Sequence, residues 1–308
     1  MKAVGKIALA RGLEAVLGRR HLYRLGRFLF NYARLDLQND MEINGELYVQ
    51  QVALQNAASS PLVCFDVGAN VGLWSKALLQ QADHKSIAAQ VHAFEPCRET
   101  FAALSKNLNG NGSAGKFIAV RKACSDHIGR ATLNIVQPGC CGVNSIVTES
   151  RFPVQAREEV ELTTVDTYCR ESSITAIRLL KIDAEGHDLA VIKGAAEMLR
   201  RKAIDVIQFE YNQSWIEARS FLRDAFETVQ AFGYELGKVT PRGVEFYQGW
   251  ALELETFVEG NYIACTPAWK QRFQQVEPAW LMPTQTQTQT QSSQQPSEDS
   301  KSSVQAGA

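Results

Sequence analysis

The residues able to do chemistry sit where apolar runs end. The first run, Val63-Cys64-Phe65-Asp66-Val67-Gly68-Ala69-Asn70-Val71-Gly72, is a strand-like stretch followed by a carboxylate and a glycine-rich turn, the form of a ligand-binding turn at a strand's carboxyl end. It lacks the G-x-G-x-x-G order of a dinucleotide fold, and Asp66 stands where it would repel a pyrophosphate at the next helix N-terminus. A cationic ligand suits it better. S-adenosylmethionine carries a positive ammonium and sulfonium, so Asp66 is expected to attract its methionyl end while Gly68, Asn70 and Gly72 allow close backbone approach. Glu95, 29 residues after Asp66 and followed by Pro96, ends a second apolar run and is placed to accept both ribose hydroxyls. At a third strand end, Asp126 is expected to accept from the adenine amine with help from Ser125; an Asp in a polar turn before Gly129 is the competing reading.

A fourth run, Leu179-Leu180-Lys181-Ile182-Asp183-Ala184-Glu185-Gly186-His187-Asp188, breaks from a buried strand into acids, a glycine and a histidine. Catalytic groups of open α/β sheets gather at this edge. The competing reading makes Glu185 or Asp188 a helix cap and His187 an exposed first-turn residue.

Elements that must position these groups follow from periodicity. Short apolar runs alternate with amphipathic stretches from Leu62 onward, which predicts βαβ units and a mainly parallel sheet. Seven strands are expected at 62–67, 90–95, 117–123, 178–182, 206–210, 234–239 and 262–265. Helical spacing marks Leu189, Ile192, Ala196 and Leu199, and again Leu222, Ala225, Phe226, Val229 and Phe232. Residues 131–161 break the alternation and read as an inserted hairpin and loop.

In this order, Phe65-Asp66-Val67-Gly68-Ala69-Asn70-Val71-Gly72, Phe94-Glu95-Pro96, Thr164-Val165-Asp166 and Lys181-Ile182-Asp183-Ala184-Glu185-Gly186-His187 with Gly194-Ala195 resemble the FkbM family of S-adenosylmethionine-dependent methyltransferases over residues 61–265. The resemblance implies a class I methyltransferase (Rossmann-like) α/β fold, a seven-stranded, mostly parallel sheet with an antiparallel last strand and helices on both faces. It also implies methyl transfer to a hydroxyl of a sugar, glycan or secondary metabolite. An alcohol must lose its proton, for which Asp183 or His187 is the candidate base, with Glu185 as the other candidate. Asn144 and Ser145 of the insertion, with Glu210 and Asn212 at the next strand end, are expected to contact the acceptor, assisted by Trp215, Tyr247 and Trp250 unless those rings are simply core. Mg²⁺ on Asp183, Glu210 and Asn212 is the metal-assisted variant, but three scattered oxygens are not a specific signal and no metal ligand is assigned. The alternatives are an NAD- or nucleotide-sugar-linked oxidoreductase, disfavoured by Asp66, and a non-catalytic S-adenosylmethionine-binding protein, disfavoured by the intact acids.

Composition bounds the rest. The chain has 308 residues, 32 Lys+Arg against 33 Asp+Glu and no apolar run long enough to span a membrane, so a cytoplasmic protein with no nucleic-acid partner is expected. Its seven cysteines include no C-x-x-C pair, so neither a disulfide framework nor a zinc site is indicated. Residues 1–40 form a basic helical extension, 41–282 the methyltransferase domain and 283–308 a polar tail. Within the tail, 17 of the 25 residues from Thr284 are Gln, Ser or Thr, too polar to order themselves. The first 35 residues carry eight basic side chains and one acid, Glu14. Leu9, Leu13, Val16 and Leu17, then Leu22, Leu25, Leu29 and Tyr32, recur at helical spacing. That region is either a lid or peripheral membrane contact, or a helix packed on its own domain, which periodicity alone favours. Asn44 is expected to cap a covering helix from residue 46.

Overall fold

A computed structural model describes residues 3–36, 40–55, 61–108, 115–136, 142–147, 152–278 and 280–281; Cys140, Cys141 and the polar tail lie outside the described residues. The strands are β1 (Leu62–Val67), β2 (Ala89–Phe94), β3 (Phe117–Val120), β4 (Ala123–Cys124), β5 (Gly129–Ile135), β6 (Ala156–Thr163), β7 (Ile177–Ile182), β8 (Ile204–Tyr211), β9 (Glu235–Thr240), β10 (Gly243–Phe246) and β11 (Gly260–Cys265). The helices used below are α1 (Ala3–Ala33), α2 (Glu46–Ala53), α3 (Leu73–His84), α4 (Arg98–Leu108), α5 (Val165–Glu171), α6 (Asp188–Lys193), α7 (Ala196–Arg200), α8 (Ser214–Glu217) and α9 (Leu222–Ala231).

The main sheet runs β10-β9-β11-β8-β7-β1-β2-β3. Strands β3, β2, β1, β7 and β8 are parallel, and β11 lies antiparallel between β8 and β9. All seven expected strands are therefore present, and an eighth, β10, pairs antiparallel with β9. Central strands covered on both faces should be continuously apolar rather than alternating. They are: along β1, Cys64 packs with Leu78 and Val91 on the side of α2, α3 and α4, while its neighbour Phe65 packs with Leu180, Ile192 and Phe226 on the side of α6, α7 and α9.

One expected strand is divided. Residues 117–123 do not continue as one element, because the chain leaves the main sheet after Val120 and Ala123–Cys124 pairs instead with β6. The insertion is a hairpin, β5 against β6, which with β4 makes a separate three-stranded sheet. That small sheet closes over the carboxyl ends of β1 and β2, where Asn134 bridges to Ser145.

The packed-helix expectation for the N-terminus fails. Val4, Val16, Phe28, Leu29 and Tyr32 of α1 are all exposed, because only the end of the helix is held: Arg34 is buried, its Nη1 donating to the Glu253 carbonyl at 2.8 Å. Asn44 also sits one residue early, since Gly45 occupies the cap position with φ 96° while Asn44 Oδ1 accepts the Glu46 amide at 2.9 Å. Among the described residues, no helix is long and apolar enough to cross a membrane.

The sheet reverses its winding between β1 and β7, and the crevice outside their carboxyl ends is where open α/β folds bind ligands. Two loops meet there with no space to spare. Gly68 has φ 73°, and a Cβ on it would lie 1.8 Å from the Asp183 carbonyl oxygen. Gly68→Ala is therefore expected to lower the thermal unfolding midpoint by roughly 5 °C or more. Gly12→Ala on α1, where nothing lies within 4 Å, should leave the domain's midpoint unchanged in the same scan.

Candidate active site

The crevice is an open cleft with about 700 Å³ of space, part of it open to solvent. Of the predicted residues, Gly68, Asn70, Glu95, Asn144, Asp183, Glu185 and His187 line it, together with Phe94, Pro96 and Lys122. The residues that do not line it are as informative.

Asp66 lies beneath the glycine turn, fully buried. Its Oδ2 accepts the Ser75 hydroxyl at 2.6 Å, and its Oδ1 has no hydrogen-bond partner but faces the Lys181 ammonium at 3.5 Å. The expectation of direct attraction to a methionyl group is corrected accordingly: the carboxylate is spent on holding β1, α3 and β7 together. Lys181 Nζ also reaches Asp183 Oδ2 at 3.2 Å. Burial pulls the lysine toward neutrality, but Asp183, Asp66 and Glu46 outweigh it and hold it charged. Glu46 belongs to this cluster through α2, its oxygens accepting from Asn44 Nδ2 at 2.7 Å and Gln208 Nε2 at 3.1 Å, and burial raises its pKa. Sequence reading assigned no role to Lys181 or Glu46. The signal for the lysine was present, since a cation inside Leu179-Leu180-Lys181-Ile182 must find partners; nothing in the sequence marked Glu46 as one of them.

Glu95 links the two loops on the cofactor side. Its oxygens accept the Asn70 and Cys97 amides, both at 3.0 Å, while Gly68 and Ala69 donate to the Phe94 carbonyl at 3.0 and 2.9 Å. Burial pushes its carboxyl up to about 7, against the two amides that favour the charged form. Gly72 lies off the cleft, where its positive φ (86°) starts α3 against Leu104 and Leu108.

Ser125 and Asp126 are not at the cleft wall. Because β4 belongs to the small sheet, the turn after it points toward the fourth run: Ser125 is buried with its Oγ 2.9 Å from His187 Nε2, while half-exposed Asp126 pairs with His127 at 2.6 Å. Neither of the two expected adenine contacts lines the cleft: Ser125 reaches His187 of the Asp183–Asp188 loop, and Asp126 bonds Ser125 and His127. Ser125 Oγ donates to Asp126 Oδ1 at 3.2 Å, and with His187 Nε2 as the donor to Ser125 the neutral ring keeps its lone pair on Nδ1. Burial lowers the His187 pKa to about 4, which keeps that ring neutral at physiological pH.

The Asp183–Asp188 loop is held from three sides. Asp183 N donates to Val67 O at 2.9 Å; Ser145 Oγ donates to Glu185 O at 2.7 Å; Asp188 accepts the Ala184 and Gly186 amides at 3.3 and 3.1 Å. Asp188 thus ties the loop, and the cap position of α6 is His187. Burial raises the Asp188 pKa to about 7. Glu185 adopts φ 49°, and its Oε2 accepts the Ser214 hydroxyl at 3.1 Å. Oxygens of Asp183, Glu185 and Glu210 converge within 4.8 Å of one another, an arrangement able to hold a hard divalent cation. Burial first, then Asp183 and Glu185, raise the Glu210 pKa well above the ordinary carboxylate range. Asn212 is not the third oxygen of that group, since its amide donates to Glu210 at 3.0 Å and its Oδ1 accepts the Ser214 amide at 2.8 Å.

Ser145 and Asn144 serve the insertion: Ser145 clamps the Asp183–Asp188 loop, and Asn144 lines the cleft while its Oδ1 accepts the Val136 amide at 3.0 Å. Trp215 and Tyr247 are core residues, and Trp250 is half-buried with its Nε1 donating to Glu255 at 2.9 Å. The described cysteines are buried and free, and burial raises the Cys64, Cys169 and Cys265 thiols to about 12, so they are inert packing groups.

The strand order and the cleft at the β1/β7 switch define a class I methyltransferase-type α/β protein. Residues 66–236, more than half of the chain, match the family model of the methyltransferase FkbM domain, and the chain belongs to that family. It is 27% identical over 159 residues to the hexuronic acid methyltransferase AglP of Haloferax volcanii, covering 52% of this chain and 60% of that protein. It is 28% identical over 171 residues to the methyltransferase sdnD of Sordaria araneosa, covering 47% and 64%. The chain thus spans less than two thirds of the length of the curated relatives it matches. Among solved structures it is similar to methyltransferase FkbM from Methylobacillus flagellatus KT (TM-score 0.43, 15% identity, 67% of this chain and 43% of that one). It is also similar to a SAM-dependent methyltransferase from Agrobacterium tumefaciens (TM-score 0.36, 8% identity, 71% and 60%).

Replacing Lys181 by Met leaves Asp66 buried without its counter-charge. The expected cost is roughly 3–5 kcal/mol in chemical unfolding, and adding Asp66→Asn should recover at least part of it.

Proposed function

We propose that the chain transfers a methyl group from S-adenosylmethionine to a hydroxyl oxygen of a sugar or secondary metabolite. The observation that carries this reading is that Glu95 and the Asp183–His187 loop line one cleft with Gly68 between them. A nucleoside with a cationic tail fits these groups: Glu95 would accept its ribose hydroxyls, and the missing Gly68 side chain leaves its backbone open to close approach. That cofactor supplies an electrophilic methyl group on a sulfonium. Glu95 ties the glycine turn to β2 and so sets where such a group would lie. Asp183 and Glu185 orient the acceptor hydroxyl, and His187 takes its proton on Nδ1, with Ser125 and Asp126 fixing the tautomer. Closure by the insertion through Ser145 keeps water out. The sugar-directed part rests on the relative named for hexuronic acid methylation. Membership of a methyltransferase family sets aside the oxidoreductase alternative.

Cofactor affinity should depend on pH in a definite direction. Ribose hydroxyls donate to an ionised Glu95, whose pKa without ligand is about 7, so below that pH binding must first remove a proton. Calorimetric titration is expected to show affinity for S-adenosylmethionine and S-adenosylhomocysteine falling up to tenfold per pH unit below 7 and levelling above it. Glu95→Gln should weaken binding and abolish the slope. No binding of either compound at micromolar concentration would end the cofactor assignment.

His187→Ala is expected to lower turnover about 100-fold or more with cofactor affinity nearly intact. Unchanged turnover in a methyl-transfer assay on a sugar acceptor would remove it from the mechanism.

A further inference from the structure

Helix α1 presents an apolar face that the other described residues do not cover. In its second half, beyond the break at Gly18 (φ 72°, ψ 154°), Arg20, Arg24 and Arg27 share one side, while Leu22, Leu25, Leu29 and Tyr32 share the other at i, i+3, i+7 and i+10. The side turned toward the domain adjoins the arginine side: Tyr23, Arg27, Phe30 and Asn31 border an open groove opposite Ile216 and Phe257. The leucine face therefore points away from the protein, with Leu25 40%, Leu29 53% and Tyr32 60% exposed, and Phe28 beside them 63%.

The helix is not loosely attached. At its root the Arg34 guanidinium lies 4.0 Å over the Trp280 ring and its Nε meets Asp36 at 2.9 Å, while Lys238 donates to the Arg34 carbonyl at 3.0 Å and to Asp36. A fixed root keeps the exposed face in one orientation relative to the domain. Charge is segregated in the same direction: the first 35 residues carry +7, so the remainder carries −8 of an overall −1.

We propose that α1 is an interfacial helix that lays the protein on an anionic lipid surface, its leucine face at the acyl boundary and its arginines among the phosphates. An apolar stripe beside a basic one is what such a surface accommodates, and the helix is too polar to cross it. A second copy of α1 is a poorer occupant, because it would cover the leucine face and leave the arginine side without a counter-charge, Glu14 being the one acid of the first 35 residues. A nucleic-acid backbone would neutralise the arginines and leave the leucines in water.

Co-sedimentation of the full chain with vesicles tests this. Binding is expected to vesicles of phosphatidylcholine mixed with phosphatidylglycerol, not to phosphatidylcholine alone, with release on raising salt. Arg20→Ala/Arg24→Ala/Arg27→Ala should weaken binding roughly 100-fold. Leu25→Ser/Leu29→Ser should weaken it as well, both variants keeping the wild-type unfolding midpoint of the domain. Absence of binding to the mixed vesicles, equal binding to neutral ones, or an unaffected arginine variant would overturn the proposal. So would a dimer in sedimentation equilibrium that the Leu25/Leu29 variant dissociates while wild type ignores the vesicles.

Discussion

A single buried ammonium makes the rest of the site possible. Strands β1 and β7 are neighbours, and each delivers an aspartate at its carboxyl end, Asp66 and Asp183, with Glu46 closing in from α2. Three acids around one point in a dry interior would repel one another and cost more than the surrounding core could offset. Lys181, 3.5 Å from Asp66 and 3.2 Å from Asp183, converts that repulsion into the attachment between the two loops. Once the strands are drawn together this closely, Gly68 has to be glycine, because the Asp183 carbonyl occupies the space of a side chain.

Proton affinities across the cleft follow from which groups have solvent or partners and which do not. Glu95 and Asp188 are both pushed up to about 7 by burial, while His187 is lowered to about 4. The two effects oppose each other in stability. A carboxyl with a raised folded-state pKa contributes stability below its unfolded value, and that contribution is lost as pH rises toward 7; a histidine with a lowered one contributes above its unfolded value and loses it as pH falls toward 4. Between pH 4 and 7 the groups partly cancel, so the cleft holds a neutral imidazole and two nearly neutral acids at little net cost to the fold.

Legibility from the sequence divides along physical lines. The strands, their carboxyl-end acids and the glycine turn were readable because they are local: an apolar run followed by Asp-x-Gly says where a parallel strand ends whatever surrounds it. Side-chain direction was not local. Asp66 looked like a ligand contact, yet it serves Ser75 and Lys181, nine residues away and on another strand respectively. Ser125 and Asp126 turned toward His187 because β4 pairs with β6, a partnership between positions some forty residues apart that no periodicity announces. For α1 the spacing gave the amphipathic face correctly but not what covers it, since packing on one's own domain and exposure leave the same pattern.

The trio Asp183, Glu185 and Glu210 shows how one site can meet two demands. Converging acids need neutralising, and here Lys181 serves Asp183 while burial, with Asp183 and Glu185 beside it, raises the Glu210 pKa well above the ordinary carboxylate range. Glu210, on β8, is the buried member of the trio, whereas Asp183 and Glu185 are half-buried and line the cleft wall. In the proposed reaction the acceptor hydroxyl is oriented at that wall, and the neutral His187 on the same loop takes its proton and becomes a cation beside two acids. What sets Glu210 apart is depth rather than residue type: burial is the largest cause of its raised pKa.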